Sequence, residues 1–280
     1  MAERLDVQKT YKLFIGGAFP RSESGRTFAV LAGDGSLIAN VASASRKDLR
    51  DAVLAARSAQ AGWAARTAYN RGQILYRVAE VMEGRRSQFV EELSRCGVAA
   101  PAAKKQVEQA IDRWVWYAGW CDKFHHIAGT VNSVAGPYFN FTMPEPTGVV
   151  GIVTPDSPAL LGLVSRLAPA LVSGNTAVVL TGEASPLTAV SMAEVVATSD
   201  VPGGVVNILT GETKDMLPWL LGHRDVNAVD LTGAPDLDAA TIAEAAENVK
   251  RLIRGEPNDQ SPYVIADFCE MKTVWHPVGR

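Results

Sequence analysis

The apolar positions along this chain fall into two textures. From Leu49 to Cys121 they recur at helical spacing: Leu49, Val53, Ala56 and Trp63; then Ile74, Leu75, Val78, Ala79 and Met82 up to Gly84; then Phe89 and Leu93; then Val107, Ile111, Trp114, Val115 and Ala118. That period predicts amphipathic helices packed on a core, after a short extended start. Ser45-Arg46-Lys47-Asp48 has the form of a capping box, which places a helix start there. From Tyr138 the texture changes. Phe139, Phe141 and Met143 alternate with Tyr138, Asn140 and Thr142, as in a half-buried strand. Gly148 to Val153 is a continuous apolar run, as expected of a strand buried on both faces. Helix Ala159–Val172, strand Thr176–Leu180, helix Pro186–Thr198, strand Val205–Leu209, helix Lys214–Leu221, strand Val226–Leu231 and helix Leu237–Arg251 follow. This alternation predicts a doubly covered parallel α/β sheet. Ligands of such sheets sit beyond the carboxyl ends of the strands. A last strand, Met271–Trp275, is too short to form a unit of its own and must join an existing one.

Composition narrows the function classes. The 280 residues are 47% hydrophobic, which excludes wholesale disorder, and suit one large domain or a domain with an appendage. A net charge of −3 gives no footprint for nucleic acid. No apolar run approaches the roughly 18 residues of a membrane span. The N-terminus lacks the apolar core of a signal peptide. Cys96, Cys121 and Cys269 have no framework spacing. These features point to a reducing, cytoplasmic location.

Candidate chemistry is sparse. There is no G-x-G-x-x-G, P-loop, G-x-S-x-G or H-E-x-x-H. Cys121, His125 and His126 lack a fourth metal ligand nearby, so no metal is expected. His223 and Asp225 read as a solvated turn. Cys269 and Glu270, adjacent on a strand, point to opposite faces and do not form a nucleophile–carboxylate pair. No catalytic residue is visible.

Several phrases in one order, YKLFIGGAF, SGRTFAV, PEPTGVVGIVTP, LAPALVSGNTAVVL, SPLTA, VPGGVVNIL and LTGAPD, resemble the aldehyde dehydrogenase superfamily from about Tyr11 to Asp236. The resemblance implies an NAD-binding domain with a five-stranded parallel Rossmann-like core, an inserted catalytic domain and a β-arm that builds oligomers. The family's G-Q-x-C nucleophile and E-L-G-G-K base phrases do not occur here. ADFCEMKTVWHPVG resembles the family's extreme C-terminus, so the catalytic domain is absent from between the sheet and the arm strand. Phrases such as FPRSESGRTF and AQAGWAARTAYNRGQILYR resemble the degenerate second domain of the sixteenth aldehyde dehydrogenase family, here standing alone.

On that resemblance, residues 1–254 form the NAD-binding-like domain, interrupted by an arm segment at about 128–146, and 255–280 form the C-terminal oligomerisation strand. Thr154, Pro155, Ser157, Thr181, Glu183, Gly211, Gly233 and Ala234 mark a vestigial cofactor crevice. The family's P-W-N phrase becomes Thr154-Pro155-Asp156-Ser157. Its K-P-A-E becomes Thr181-Gly182-Glu183-Ala184. Its G-S-T/E becomes Gly233-Ala234-Pro235-Asp236, where Pro235 removes a backbone N–H and Asp236 adds negative charge near the pyrophosphate. Together these changes argue against tight NAD binding. Phe139, Phe141 and Met143, with Met271, Thr273 and Trp275, form the expected apolar interface. The expected function is a non-catalytic subunit partnering itself or a full-length aldehyde dehydrogenase, with no nucleic acid or membrane partner. The alternatives are an NAD-dependent oxidoreductase and a nucleotide or small-molecule binding module.

Overall fold

The computed structural model describes residues 8–183, 186–234 and 236–279. The signal-peptide expectation therefore falls partly, and those at Ala184 and Pro235 wholly, outside the described residues. The extended start folds into an antiparallel hairpin, β1 (Thr27–Leu31) with β2 (Leu37–Ala42). Helices α1 (Arg46–Ala64), α2 (Ala68–Gly84), α3 (Arg86–Arg95), α4 (Ala100–Ala118) and α5 (Phe124–Ala128) follow. The arm strands are β3 (Thr130–Asn132) and β4 (Tyr138–Pro146). The alternating region gives β5 (Val149–Val153), α6 (Ala159–Val172), β6 (Thr176–Thr181), α7 (Pro186–Ala197), β7 (Val206–Thr210), α8 (Thr213–Gly222), β8 (Ala228–Asp230), α9 (Ala239–Ala246) and β9 (Arg251–Ile253). Last come α10 (Tyr263–Asp267) and β10 (Cys269–Pro277).

The capping box at Ser45 forms as expected. Ser45 Oγ accepts the Asp48 N–H at 3.3 Å, and Asp48 Oδ2 accepts the Ser45 N–H at 2.8 Å. The main sheet is five-stranded and parallel, in the order β7-β6-β5-β8-β9. Successive strand residues serve two cores. Val150, Ile152, Ala177 and Val179 pack on the α2, α4, α6 and α7 side, whereas Val149, Val153, Val178 and Leu180 pack on the α1 and α8 side. That is why the strands read as unbroken apolar runs.

Two expectations are corrected. The helix expected over Leu237–Arg251 ends at Ala246; Val249 turns left-handed at φ +52°, and Arg251–Ile253 pairs with β8 as the fifth strand. Lys250 fixes the turn by donating to the carbonyls of His223 and Val226 at 2.6 and 2.9 Å. Alanine-rich periodicity could not show where tertiary pairing would take over.

The second correction concerns the arm. β10 pairs antiparallel with β4, and β4 with β3. Residues directly opposite in such a pair share a face. Met271, Thr273 and Trp275 stand opposite Pro144, Thr142 and Asn140, whereas Phe139, Phe141 and Met143 stand opposite His276, Val274 and Lys272. The two expected interface triplets therefore lie on opposite faces of the arm, not on one. The Thr142 and Thr273 hydroxyls bond at 2.9 Å, and Tyr138 meets Trp275 edge-on at 5.8 Å, on the second face. Alternation within each strand was readable, but relative register was not.

The passage from sheet to arm is anchored by buried side chains. Arg113 donates to Ser165 Oγ and to the carbonyls of Asp259 and Asn258, at 2.6, 2.7 and 3.2 Å. Asn175 accepts the Gly148 N–H at 2.7 Å and donates to the Phe268 carbonyl at 2.8 Å. Arg166, 1% exposed, pairs with the fully buried Asp230 at 2.5 Å and lies over the Phe268 ring. Removing one member of a buried pair strands the other's charge, so Arg166→Ala should cost about 3–5 kcal/mol of unfolding free energy. Urea unfolding of the variant measures this; a loss under about 1 kcal/mol would deny the pair its anchoring role.

Candidate functional site: the carboxyl edge of the parallel sheet

The expected crevice residues gather along one edge, but the space between them is nearly closed. Thr154 leaves β5 buried, and its backbone N–H and hydroxyl both donate to the Leu180 carbonyl, at 3.0 and 3.4 Å. Its Oγ1 accepts the Gly182 N–H at 3.2 Å. The Gly233 N–H donates to the Val153 carbonyl at 3.0 Å, and a Cβ on Gly233 would lie 2.2 Å from the Thr154 oxygen. Ala234 closes the following turn onto the Leu231 carbonyl at 2.8 Å. Pro155 packs on Gly162, where an added Cβ would come within 2.3 Å of Pro155 Cγ. The Asp156 carboxylate lies over Gly182, 2.0 Å from where a Cβ would stand. The cavity lined by Thr154, Asp156, Thr181 and Thr188 measures about 10 Å³. That is about one water, against several hundred Å³ for a typical ligand pocket. Thr181 is buried there, and its hydroxyl has no partner among the described residues.

The remaining expected residues lie outside that cavity. Ser157 and Glu183 are exposed. Gly211, at φ +145°, packs against Ser43 and Ala44 of the connection between β2 and α1.

Two helix starts near this edge carry side-chain acceptors from the protein itself. A helix N-terminus attracts anions through its free N–H groups. At α6, the Leu160 and Leu161 N–H groups donate to Gln106 Oε1 at 2.8 and 3.3 Å. At α9, Asp238 caps the helix, accepting from the Thr241 N–H and hydroxyl at 2.8 and 2.9 Å. Lys214 is paired with Glu212 at 2.7 Å and lies within electrostatic reach of Glu183. Asp238 has a readable signal, an Asp directly before an apolar helix. Gln106 has none, because its partners lie 54 and 55 residues away.

Residues 20–277 match the model of the aldehyde dehydrogenase family. This chain belongs to that family. It is 35% identical over 276 residues to the cytosolic 10-formyltetrahydrofolate dehydrogenase of Mus musculus, covering 96% of this chain and 30% of that protein. Among solved structures, the NAD+ complex of an aldehyde dehydrogenase from Bacillus cereus superposes with a TM-score of 0.81 at 28% identity, covering 87% of this chain and 50% of that one. HpcC from Thermus thermophilus gives 0.81 at 30% identity, over 87% and 47%. The chain thus spans about half the length of these solved structures and 30% of that 10-formyltetrahydrofolate dehydrogenase.

Two of the three thiols, Cys121 and Cys269, are in an unreactive setting. Burial pushes Cys269 up to about 11, and its Sγ donates to the Ile265 carbonyl at 3.2 Å. Glu270 turns away to Arg251 at 2.9 Å, as the strand alternation requires. Burial likewise pushes Cys121 up to about 12. A nucleophilic cysteine needs the thiolate near neutral pH. His125 is held below its ordinary value, chiefly by burial and also by Arg71. Among the described residues no group of three or more His, Cys, Asp or Glu is placed to hold a metal. No described helix is long and apolar enough to cross a membrane.

The half-buried Cys96 is the exception among the three cysteines. A thiol-reactive disulfide reagent at pH 7.5 should modify Cys96 quickly in the native protein, and Cys121 and Cys269 only after denaturation. Rapid native modification of Cys269 would show an activated thiol instead.

Proposed function

We propose that this chain is a non-catalytic aldehyde dehydrogenase-family subunit that associates through its arm, either with a full-length family member or with a second copy of itself. The carrying observation is the short anchored passage from the parallel sheet to the arm strand. Arg113, Arg166 and Asn175 hold that passage to α4, α6 and the foot of β5. Within this chain they leave no inserted lobe to bring a nucleophile over the sheet edge. Covalent aldehyde oxidation needs an activated thiol beside a base, and the buried thiols here offer neither condition. The phrases shared with the degenerate second domain of the sixteenth family agree with this reading.

The crevice does not fit NAD. Its pyrophosphate requires unoccupied N–H groups and room beside the strand ends. Gln106 and Asp238 occupy N–H groups at the starts of α6 and α9, and Asp156 fills the space over Gly182. No hydride step is therefore assigned to this chain.

The arm supplies the means of association. Its strand order, β10-β4-β3, leaves β10 and β3 as edges among the described residues. An open edge recruits another strand. Val131, 72% exposed, and Phe139, 48% exposed, stand on one face, with Met271 and Trp275, 51% and 59% exposed, on the other. A partner that engages the arm therefore has apolar surface to cover on two sides.

Co-expression with a full-length aldehyde dehydrogenase, followed by light scattering, tests the reading. The expected result is a stable complex, or a homo-oligomer above the 29.9 kDa monomer mass. Phe139→Ser with Phe141→Ser should weaken it by at least about tenfold, since each large apolar burial contributes about 1.5–3 kcal/mol. Millimolar NAD should raise the melting temperature by less than about 1 °C, as a ligand that binds weakly stabilises little. A strictly monomeric chain, or turnover of an aldehyde with NAD, would overturn the proposal.

A further inference from the structure

A second concavity lies apart from the cavity between β5 and β6. It is a groove of about 960 Å³ between the first turns of α1, the loop before β1 and the C-terminal half of α8. Arg26, Arg46, Arg224, Trp219, Glu23 and Glu244 are among its lining residues. The volume lies at the upper end of the range for small-molecule pockets.

Charge in the groove is not balanced locally. Lys47 and Arg50 share Asp51, at 3.1 and 3.3 Å. Asp48 is committed to Ser45 and Ser22, and Glu23 accepts the Ser45 hydroxyl at 3.0 Å. The guanidinium groups of Arg26 and Arg224 make no ion pair among the described residues. That of Arg46 stacks on Trp219, 3.8 Å from the ring centroid. Three elements thus bring five basic side chains, against the two carboxylates Glu23 and Glu244, to one cavity of a chain with net charge −3. Arg46 and Lys47 also occupy the first turn of α1, where cations oppose the helix dipole.

We infer that this groove binds a nucleoside phosphate. Each part of such a ligand has a counterpart. Phosphate oxygens accept bidentate hydrogen bonds from arginine; Arg46 is held planar against Trp219, which reduces its loss of freedom on binding. The indole, 45% exposed, offers a surface for the base. Glu244 at the rim can accept from ribose hydroxyls. His223, also in the lining, is kept below its ordinary value mainly by burial. The site is separate from the arm, and it stands whether or not the chain associates as proposed above.

ADP, titrated by calorimetry into the intact chain, is the probe. Saturable binding is expected, weakening as salt rises. Arg46→Ala and Arg224→Ala remove exposed side chains and should each weaken it by about tenfold, the loss of one charge-assisted contact. Trp219→Ala should weaken ADP by a larger factor than pyrophosphate, because the indole both faces the base and steadies Arg46, with unaltered thermal unfolding of each variant confirming the fold. Absence of saturable binding at millimolar ADP, or binding indifferent to all three substitutions, would overturn the site. Pyrophosphate binding as tightly as ADP would overturn its assignment to a nucleotide.

Discussion

A guanidinium buried between α6 and β8 organises the part of the molecule where sheet, crevice and arm meet. Arg166 is out of water and must be paired, and Asp230 at the end of β8 pairs it. The other Asp230 oxygen accepts from the Thr232 N–H and hydroxyl at 2.9 and 2.6 Å, which shapes the turn into Gly233. Thr232 Oγ1 in turn accepts the Gly255 N–H at 3.2 Å. A Cβ on Gly255 would stand 2.6 Å from Arg166 Nη1, so the tail crosses directly over the charged group. One ion pair therefore fixes the lip of the crevice and the route of the tail together.

That arrangement also carries the chain from the parallel sheet straight to the arm strand. A sheet of this kind is stabilised by its two helical layers, which are complete here. The arm needs only a firm connection, supplied by Arg113, Asn175 and Arg166. The strand-end edge is filled from within the chain. Gln106 and Asp238 satisfy N–H groups that an anion would otherwise meet, and Asp156 lies across Gly182. Fold and site are separable in this way because packing energy resides in the layers and chemistry in a few loop residues.

The arm shows the opposite economy. Its Thr142–Thr273 contact and the Asn132 amide, donating to Asn140 Oδ1 and Thr142 Oγ1 at 2.6 and 2.9 Å, knit its polar positions together. Large apolar side chains on both faces remain open. A thin sheet with two such faces has little internal burial to stabilise it, so its order depends on what it joins.

The sequence alone determined the alternation of strands β5 to β8 with helices α6 to α8, the parallel sheet, the capping box at Ser45 and the family. Each rests on local periodicity, or on phrases that survive as continuous strings. It also showed that Cys269 and Glu270 cannot act together, since strand alternation is local. Tertiary structure decided the rest. Strand β9 replaced the end of an expected helix because its partner, β8, lies across a turn. The two interface triplets parted to opposite faces because register is set between strands. Gln106 reached α6, and Arg46 reached Trp219, across separations that no linear pattern records. Periodicity is a property of neighbours in sequence, whereas register, capping from afar and the convergence of charges are properties of neighbours in space.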